Sequence, residues 1–216
     1  MPIILLFFSI LIYSLPGWAL APSYATLGQT RASLVAENNA IKAGHPIRIG
    51  LLLEHTQNWH SYWENPGDAG IPTNISWQLP EGFTASAIDW PSPEIEREGP
   101  LVVYAYKDRV FLPSTITPPA NLTAGSYDIS MKASWLVCDE ICIPESVELG
   151  LTLTVTQADT NSQGELQVIF AEHDGMRAQS LAAPGSYRVN NKELILNAIL
   201  PTNQTIKSAY FLPRTS

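Results

Sequence analysis

Between about Thr26 and Thr156 the sequence never sustains a helical period, and this restricts the fold more than any other feature. Short runs rich in Val, Ile, Thr, Tyr and Trp alternate, or stay apolar, over strand-like lengths: 47–55 (IRIGLLLEH), 74–80 (NISWQLP), 101–106 (LVVYAY), 109–116 (RVFLPSTI), 125–137 (GSYDISMKASWLV) and 147–156 (VELGLTLTVT). Pro, Gly, Asn and Asp separate them, and the 17 prolines fall mostly in the gaps. Several strands at this spacing predict a mainly β protein, a β-sandwich of immunoglobulin-like type. YKDRV (106–110) reads as a tight hairpin. The chain has 216 residues and is 45% apolar, enough to build a core without covalent staples.

The pattern changes on both sides of this region. Residues 157–164 are polar and read as a linker. Over 165–181 (ELQVIFAEHDGMRAQSL) apolar residues at 166, 169, 170 and 176 predict a short amphipathic helix interrupted at Gly175. SYRVNNKELILNAIL (186–200) predicts a hairpin turning at Asn190-Asn191, where both residues tolerate positive φ. The final SAYFLPRTS begins another strand, so 165–216 reads as a helix plus the start of a second small β unit. Such an ending fits the truncated start of a further domain. At the other end, Ile3 to Leu15 is apolar, breaks at Pro16-Gly17 and leads to small residues at Ala19 and Ala21. That is the layout of a secretory leader over 1–25, with cleavage after Ala25 and an uncleaved anchor as the competing reading. The expected organisation is therefore a leader (1–25), a β-sandwich (26–156), a linker (157–164) and the segment 165–216.

Charge removes one class of partner. Twenty acidic residues against 12 basic ones give a net charge of −8. Nucleic acid, which needs clustered Lys and Arg, is not an expected partner. Asn-x-Ser/Thr triplets at Asn74, Asn121 and Asn203 would accept glycans only in a eukaryotic secretory route.

NWHSYWENPGDAGIP (58–72) is the densest aromatic stretch, with Trp59, His60, Tyr62 and Trp63 ahead of a Gly-rich loop. Alternate aromatics at such a place most simply fill a sandwich core. A sharper reading makes the loop a lid beside a reactive site, and a third makes the aromatics a sugar-stacking surface. His55 and His60, with the two cysteines, could in principle grip zinc or copper. Their spacing is not that of a ligand pair, and no cofactor or metal is expected.

The only cysteines, Cys138 and Cys142, stand in SWLVCDEICIP, with Trp135 before them and Pro144 after. A bridge between them closes a ring of five residues, which loop-closure arithmetic values at about 2 kcal/mol before strain. As a staple it would add little to a domain of this size. Strained or exposed bridges are instead the ones that enter exchange. Asp139 and Glu140 inside the ring oppose a resting thiolate. An ordinary structural hairpin bridge remains the alternative.

SWLVCDEICIP, together with NWHSYWENPGDAGIPTNISWQLPEGF, IDWPSPE and LVVYAYKDRVFLP, resembles the periplasmic N-terminal domain of the DsbD/ScsB protein-disulfide reductases, in order over about residues 30–156. The resemblance implies a sandwich whose cysteine pair shuttles electrons, with Cys138 and Cys142 as the redox pair. It also implies a membrane electron-transfer protein or domain of the DsbD type as electron source and thioredoxin-like periplasmic proteins as partners. The more exposed cysteine should form the mixed disulfide and the other should resolve it. Trp59, His60, Tyr62, Trp63, Trp135 and Pro144 would then cap the site or contact the partner. The shuttle domain of DsbD itself has a wider gap between its cysteines, so the three-residue spacing points to the ScsB-like branch. The competing function is a non-catalytic exported binding module whose disulfide is structural.

Overall fold

The computed structural model describes residues 23–156, 165–179, 185–191, 193–199 and 209–214. Most of the leader expected over 1–25, and the linker expected over 157–164, lie outside the described residues. In chain order the strands are β1 (Tyr24–Thr26), β2 (Thr30–Ala36), β3 (Ala40–Ile41), β4 (Ile47–His55), β5 (His60–Gly67), β6 (Asn74–Gln78) and β7 (Thr84–Ala85). They continue as β8 (Glu94–Glu98), β9 (Leu101–Lys107), β10 (Arg109–Thr117), β11 (Ser126–Cys138) and β12 (Cys142–Val155). Helix α1 (Glu165–Met176) and the hairpin β13 (Gly185–Asn190) and β14 (Glu193–Ala198) follow. The chain is mainly β, an immunoglobulin-like β-sandwich with a short helix.

One sheet runs β1-β2-β4-β10-β7 and the other β3-β12-β11-β5-β9-β8, with β6 also pairing β11. Period-2 alternation decides what lies between them. From the first sheet, Ile47, Ile49, Leu51 and Leu53 of β4 and Val110, Leu112 and Ile116 of β10 point inward. They meet Ile129, Met131, Ala133, Trp135 and Val137 of β11 and Leu149 and Leu153 of β12. Each fully buried aliphatic side chain of this kind contributes about 1.5–3 kcal/mol.

On the outer face of the first sheet, α1 lays Phe170 against Val35, Leu52 and Phe111. Phe111 and Phe170 meet edge to face at 4.7 Å. The helix is continuous through Gly175, where an interruption was expected. Leu166 and Met176, expected on its apolar stripe, are exposed, and the fully buried His173 takes the next inward position after Phe170. Its Nε2 donates to the Asp89 carbonyl at 2.8 Å, so a polar ring is tolerated there. Ion pairs of Arg48 with Asp174, Arg109 with Glu172 and Arg177 with Asp89 flank the contact.

Two other expectations are corrected. YKDRV is not a hairpin: β9 and β10 belong to different sheets, and Asp108, at φ 52°, carries the chain across the sandwich. The reason is that Val110 and Leu112 find their inward partners opposite β4, where Arg109 pairs Glu54. Residues 209–214 form no strand. They return to β5 instead, where the Asn65 Nδ2 donates to the Pro213 carbonyl at 2.7 Å and Arg214 pairs with Glu64. The hairpin at 185–198 forms as expected, but its turn falls one residue later: Asn190 ends β13 opposite Glu193, and Asn191, at φ 56°, lies in the turn.

Candidate redox site at the tip of the long hairpin

β11 and β12 stay in register from Ser126 opposite Thr154 to Cys138 opposite Cys142. Only Asp139, Glu140 and Ile141 remain for the loop, and a backbone hydrogen bond of 3.1 Å from Asp139 N–H to the Ile141 carbonyl closes it. The two cysteines are directly cross-strand and joined, with an S–S distance of 2.08 Å. Antiparallel pairing thus brings the sulfurs together without help from any other element.

The rest of the fold makes the pair unequal. Cys138 is 1% exposed, whereas Cys142 lies exposed at the start of β12. β5 touches β11 at one point, His60 opposite Cys138. Two residues on, Tyr62 shares the same face and packs against Cys138 with Val103 and Ala105 of β9. β5 bulges between Tyr62 and Gly67, and the chain then crosses back over this cluster.

Several contacts seat the crossing. Asn65 Oδ1 accepts from Gly67 N–H at 3.1 Å. Asp68 N–H donates to the Val102 carbonyl at 2.9 Å, and its carboxylate accepts from Val102 N–H at 2.8 Å. Gly70, at φ 106°, lies so close over the Tyr62 ring that a Cβ there would stand 2.4 Å from ring carbons.

Two grooves flank the disulfide. One of about 300 Å³ is lined by Ile71, Pro72, Leu136, Pro144, Trp135 and Glu145. Leu136 and Pro144 oppose each other on the same outer face as the cysteines, so this apolar wall adjoins exposed Cys142. Beneath it the buried Glu145 carboxylate accepts from Trp135 Nε1 at 3.1 Å and from Gln29 N–H at 2.8 Å. The other groove, about 420 Å³, is lined by His60, Glu96, Gly99, Lys107 and Asp139.

His60 and Tyr62 therefore lie beside Cys138 and Pro144 follows Cys142 on the same face, whereas Trp135, on the inward face of β11, joins the sandwich core, and Trp59 and Trp63 do not reach the cysteines either. Trp63 is turned into the sandwich core, edge to face with Tyr104 at 6.0 Å, and Trp59 packs on that core from its margin. Sequence reasoning did not single out Ile71, Leu136 or Glu145, and reached Gly70 only as part of the Gly-rich loop read as a lid. Glu145 was within reach: the register fixed by a bridge between Cys138 and Cys142 sets it opposite Trp135. Among the described residues no group of three or more His, Cys, Asp and Glu side chains is arranged to hold a metal ion.

His55 lies on the inner side, its Nδ1 3.3 Å from Thr30 Oγ1 and its Nε2 3.0 Å from Ser61 Oγ. Burial, with a smaller contribution from the charge of His60, pushes its imidazole from 6.5 down to about 4. A histidine kept neutral by the fold takes up its proton in the unfolded chain first. The stability it contributes is present above pH 6.5 and is lost as the pH falls toward about 4. The loss comes to about 3 kcal/mol. Urea midpoints at pH 7 and pH 4.5 should fall further apart for the native protein than for His55→Gln. Equal separations would show that His55 is not a source of the acid sensitivity.

Residues 31–154 match the family described as thiol:disulfide interchange protein DsbD, N-terminal. No curated protein matches the chain. Among solved structures, the N-terminal periplasmic domain of ScsB from Proteus mirabilis superposes with a TM-score of 0.59 at 17% identity, over 83% of this chain and 69% of that one. The GAE domain of yeast GGA1 gives a TM-score of 0.32 at 11% identity, over 59% of this chain and 95% of that one. The first likeness shows a shared fold, and the second is too slight to add to it. The family match spans more than half of the chain and takes in both sheets, the loop over Tyr62 and both cysteines. The chain belongs to the family of N-terminal domains of DsbD thiol:disulfide interchange proteins.

Proposed function

We propose that the Cys138–Cys142 pair is an electron relay, taking reducing equivalents from a membrane electron carrier of the DsbD type and passing them to protein disulfides in the periplasm. The observation that carries this reading is the unequal exposure of the two cysteines. Cys142 is presented at a hairpin tip beside an apolar groove, and Cys138 is sheltered behind Tyr62 and the loop at 67–72. A purely structural bridge has no use for a presented sulfur, whereas an attacking thiol needs access and a resolving thiol needs only its neighbour.

In the reduced domain the Cys142 thiolate attacks one sulfur of a partner disulfide. A Cys142–partner bond forms, and the partner's other sulfur leaves as a thiolate. Cys138 then attacks the Cys142 sulfur, the intramolecular bridge closes, and the second partner sulfur departs. Two electrons pass to the partner, which takes up two protons. Recharging runs the same steps backward with a dithiol donor of the membrane carrier. Thioredoxin-like periplasmic proteins, which exchange through a reactive cysteine, would meet Cys142 beside this groove.

The periplasmic assignment rests on the leader expected over 1–25 and on the family. Among the described residues no helix is long and apolar enough to cross a membrane. The test is whether the pair equilibrates with a thiol–disulfide buffer. A relay is partly reduced across ordinary glutathione ratios, and a structural bridge stays oxidised throughout.

A further inference from the structure

His60 has a place in this site that the exchange steps alone leave without a role. It pairs with Cys138 on one side and with Lys107 of β9 on the other. The side chain is buried. Its ring meets Tyr62 edge-on, 5.1 Å between centroids, and its Nε2 lies 3.2 Å from the Tyr62 hydroxyl. Tyr62 and Cys138 belong to one buried cluster. The other members of that cluster are Val103, Ala105, Ala69 and Leu136, whose side chains carry no hydrogen-bonding group. On its far side His60 lines the groove that it shares with Lys107, Glu96 and Asp139.

Cys138 has a proton problem. The resolving attack requires a thiolate, and a thiol surrounded by apolar side chains ionises reluctantly. With 1% of the residue exposed, bulk water is not at hand to take the proton. We propose that His60, acting through the Tyr62 hydroxyl, takes up the Cys138 proton as Cys138 attacks and returns it when the bridge is reopened. With His60 neutral, its Nε2 accepts from the Tyr62 hydroxyl, and that oxygen in turn accepts from the thiol. As the Cys138–Cys142 bond forms, the thiol proton moves to the phenol oxygen and the phenol proton to His60. The His60 proton then leaves through the groove. In this proposal His60 acts through Tyr62, so it is a positioning residue, and the Tyr62 hydroxyl is the group that meets the sulfur.

The charges around His60 suit the exchange. Glu96 of β8 and Lys107 of β9 line the same groove but pair with each other at 2.8 Å and largely cancel. Asp139 of the hairpin loop leaves a negative charge there. His55 of β4, kept neutral near pH 7, adds no positive charge there.

The inference rests on the relay reading, and one experiment separates the two. The reduced protein is mixed with the aromatic disulfide dithionitrobenzoate, and release of thionitrobenzoate is followed from pH 5 to 10. The first release reports attack by Cys142, which leaves Cys142 joined to one thionitrobenzoate. The second reports Cys138 attacking Cys142, closing the bridge and expelling the remaining thionitrobenzoate. His60→Gln should leave the first release unchanged and slow the second about a hundredfold at neutral pH, the scale of a positioned proton-transfer group. The deficit should close as rising pH lets solvent base act instead. Tyr62→Phe, which keeps the ring and its packing, should reproduce the defect and stands in if His60→Gln does not fold. Second-release profiles that overlay the native one at every pH would overturn the role of His60 while leaving exchange intact. A native protein with no second release at any pH would overturn the relay reading itself, and this inference with it.

Discussion

Cys142→Ala is expected to abolish exchange outright, whereas Cys138→Ala should complete the first step and stop there. The difference follows from where the two sulfurs lie. Cys142 is exposed at the head of β12, so in Cys138→Ala it can attack an incoming disulfide and nothing remains to resolve the adduct. With glutathione disulfide as oxidant, this variant should accumulate one stable glutathione per chain by intact mass. In Cys142→Ala the remaining thiol sits behind Tyr62 and the loop at 67–72. Its reaction requires that loop to open. An opening cost of about 3 kcal/mol corresponds to adduct formation roughly a hundredfold slower. Equal rates for the two variants, or faster reaction through Cys138, would contradict the assignment of Cys142 as the attacking sulfur.

Gly70→Ala should unseat the loop and uncover Cys138. The Gly70 backbone, at φ 106°, is one that L side chains rarely adopt, and the added methyl would stand 2.4 Å from the Tyr62 ring. Tyr62 is 1% exposed and wedged against Cys138, Val103 and Ala105, so the ring has nowhere to retreat. The chain from Ala69 to Ile71 must lift instead. Overpacking of this kind costs about 1–3 kcal/mol. Alkylation of reduced Cys138, read in the Cys142→Ala background, should accelerate by about fivefold or more at that cost. The main sandwich core, built from β4, β10, β11 and β12, is untouched, so the variant should remain folded with a lowered urea midpoint. Unchanged labelling together with an unchanged midpoint would show that the loop does not control access to Cys138.

The strands of the sandwich were legible wherever one face of a strand is buried. IRIGLLLEH became β4 over Ile47–His55, and LVVYAY and RVFLPSTI became β9 and β10, because alternation alone separates the inward from the outward positions. Asp108 was misread because a tight Lys-Asp-Arg turn looks the same whether its strands pair or part. That choice lies with β4 and β5, each of which claims one of the two strands. Residues 209–214 look strand-like for their Tyr, Phe and Leu, yet they pair with none of the described strands and are placed by side-chain contacts. Leu212 packs on the core and Asn65 holds Pro213. In the site, the cysteine pair was legible in local sequence, but its register was not, because β12 begins at Cys142 rather than at Val147. The burial of one cysteine and exposure of the other were not legible either, because Tyr62, Gly70 and Val103 approach from distant parts of the chain. Trp59, His60, Tyr62 and Trp63 could not be sorted for a related reason. β5 is buried on both faces, so aromatics suit the core and the redox side equally.

The most direct test of the relay is the reduction potential of the Cys138–Cys142 disulfide, measured by trapping thiols after equilibration in glutathione and dithiothreitol buffers. An electron relay predicts roughly −180 to −270 mV, within the range of exchange proteins. A value well below about −300 mV would make the bridge structural and contradict the account.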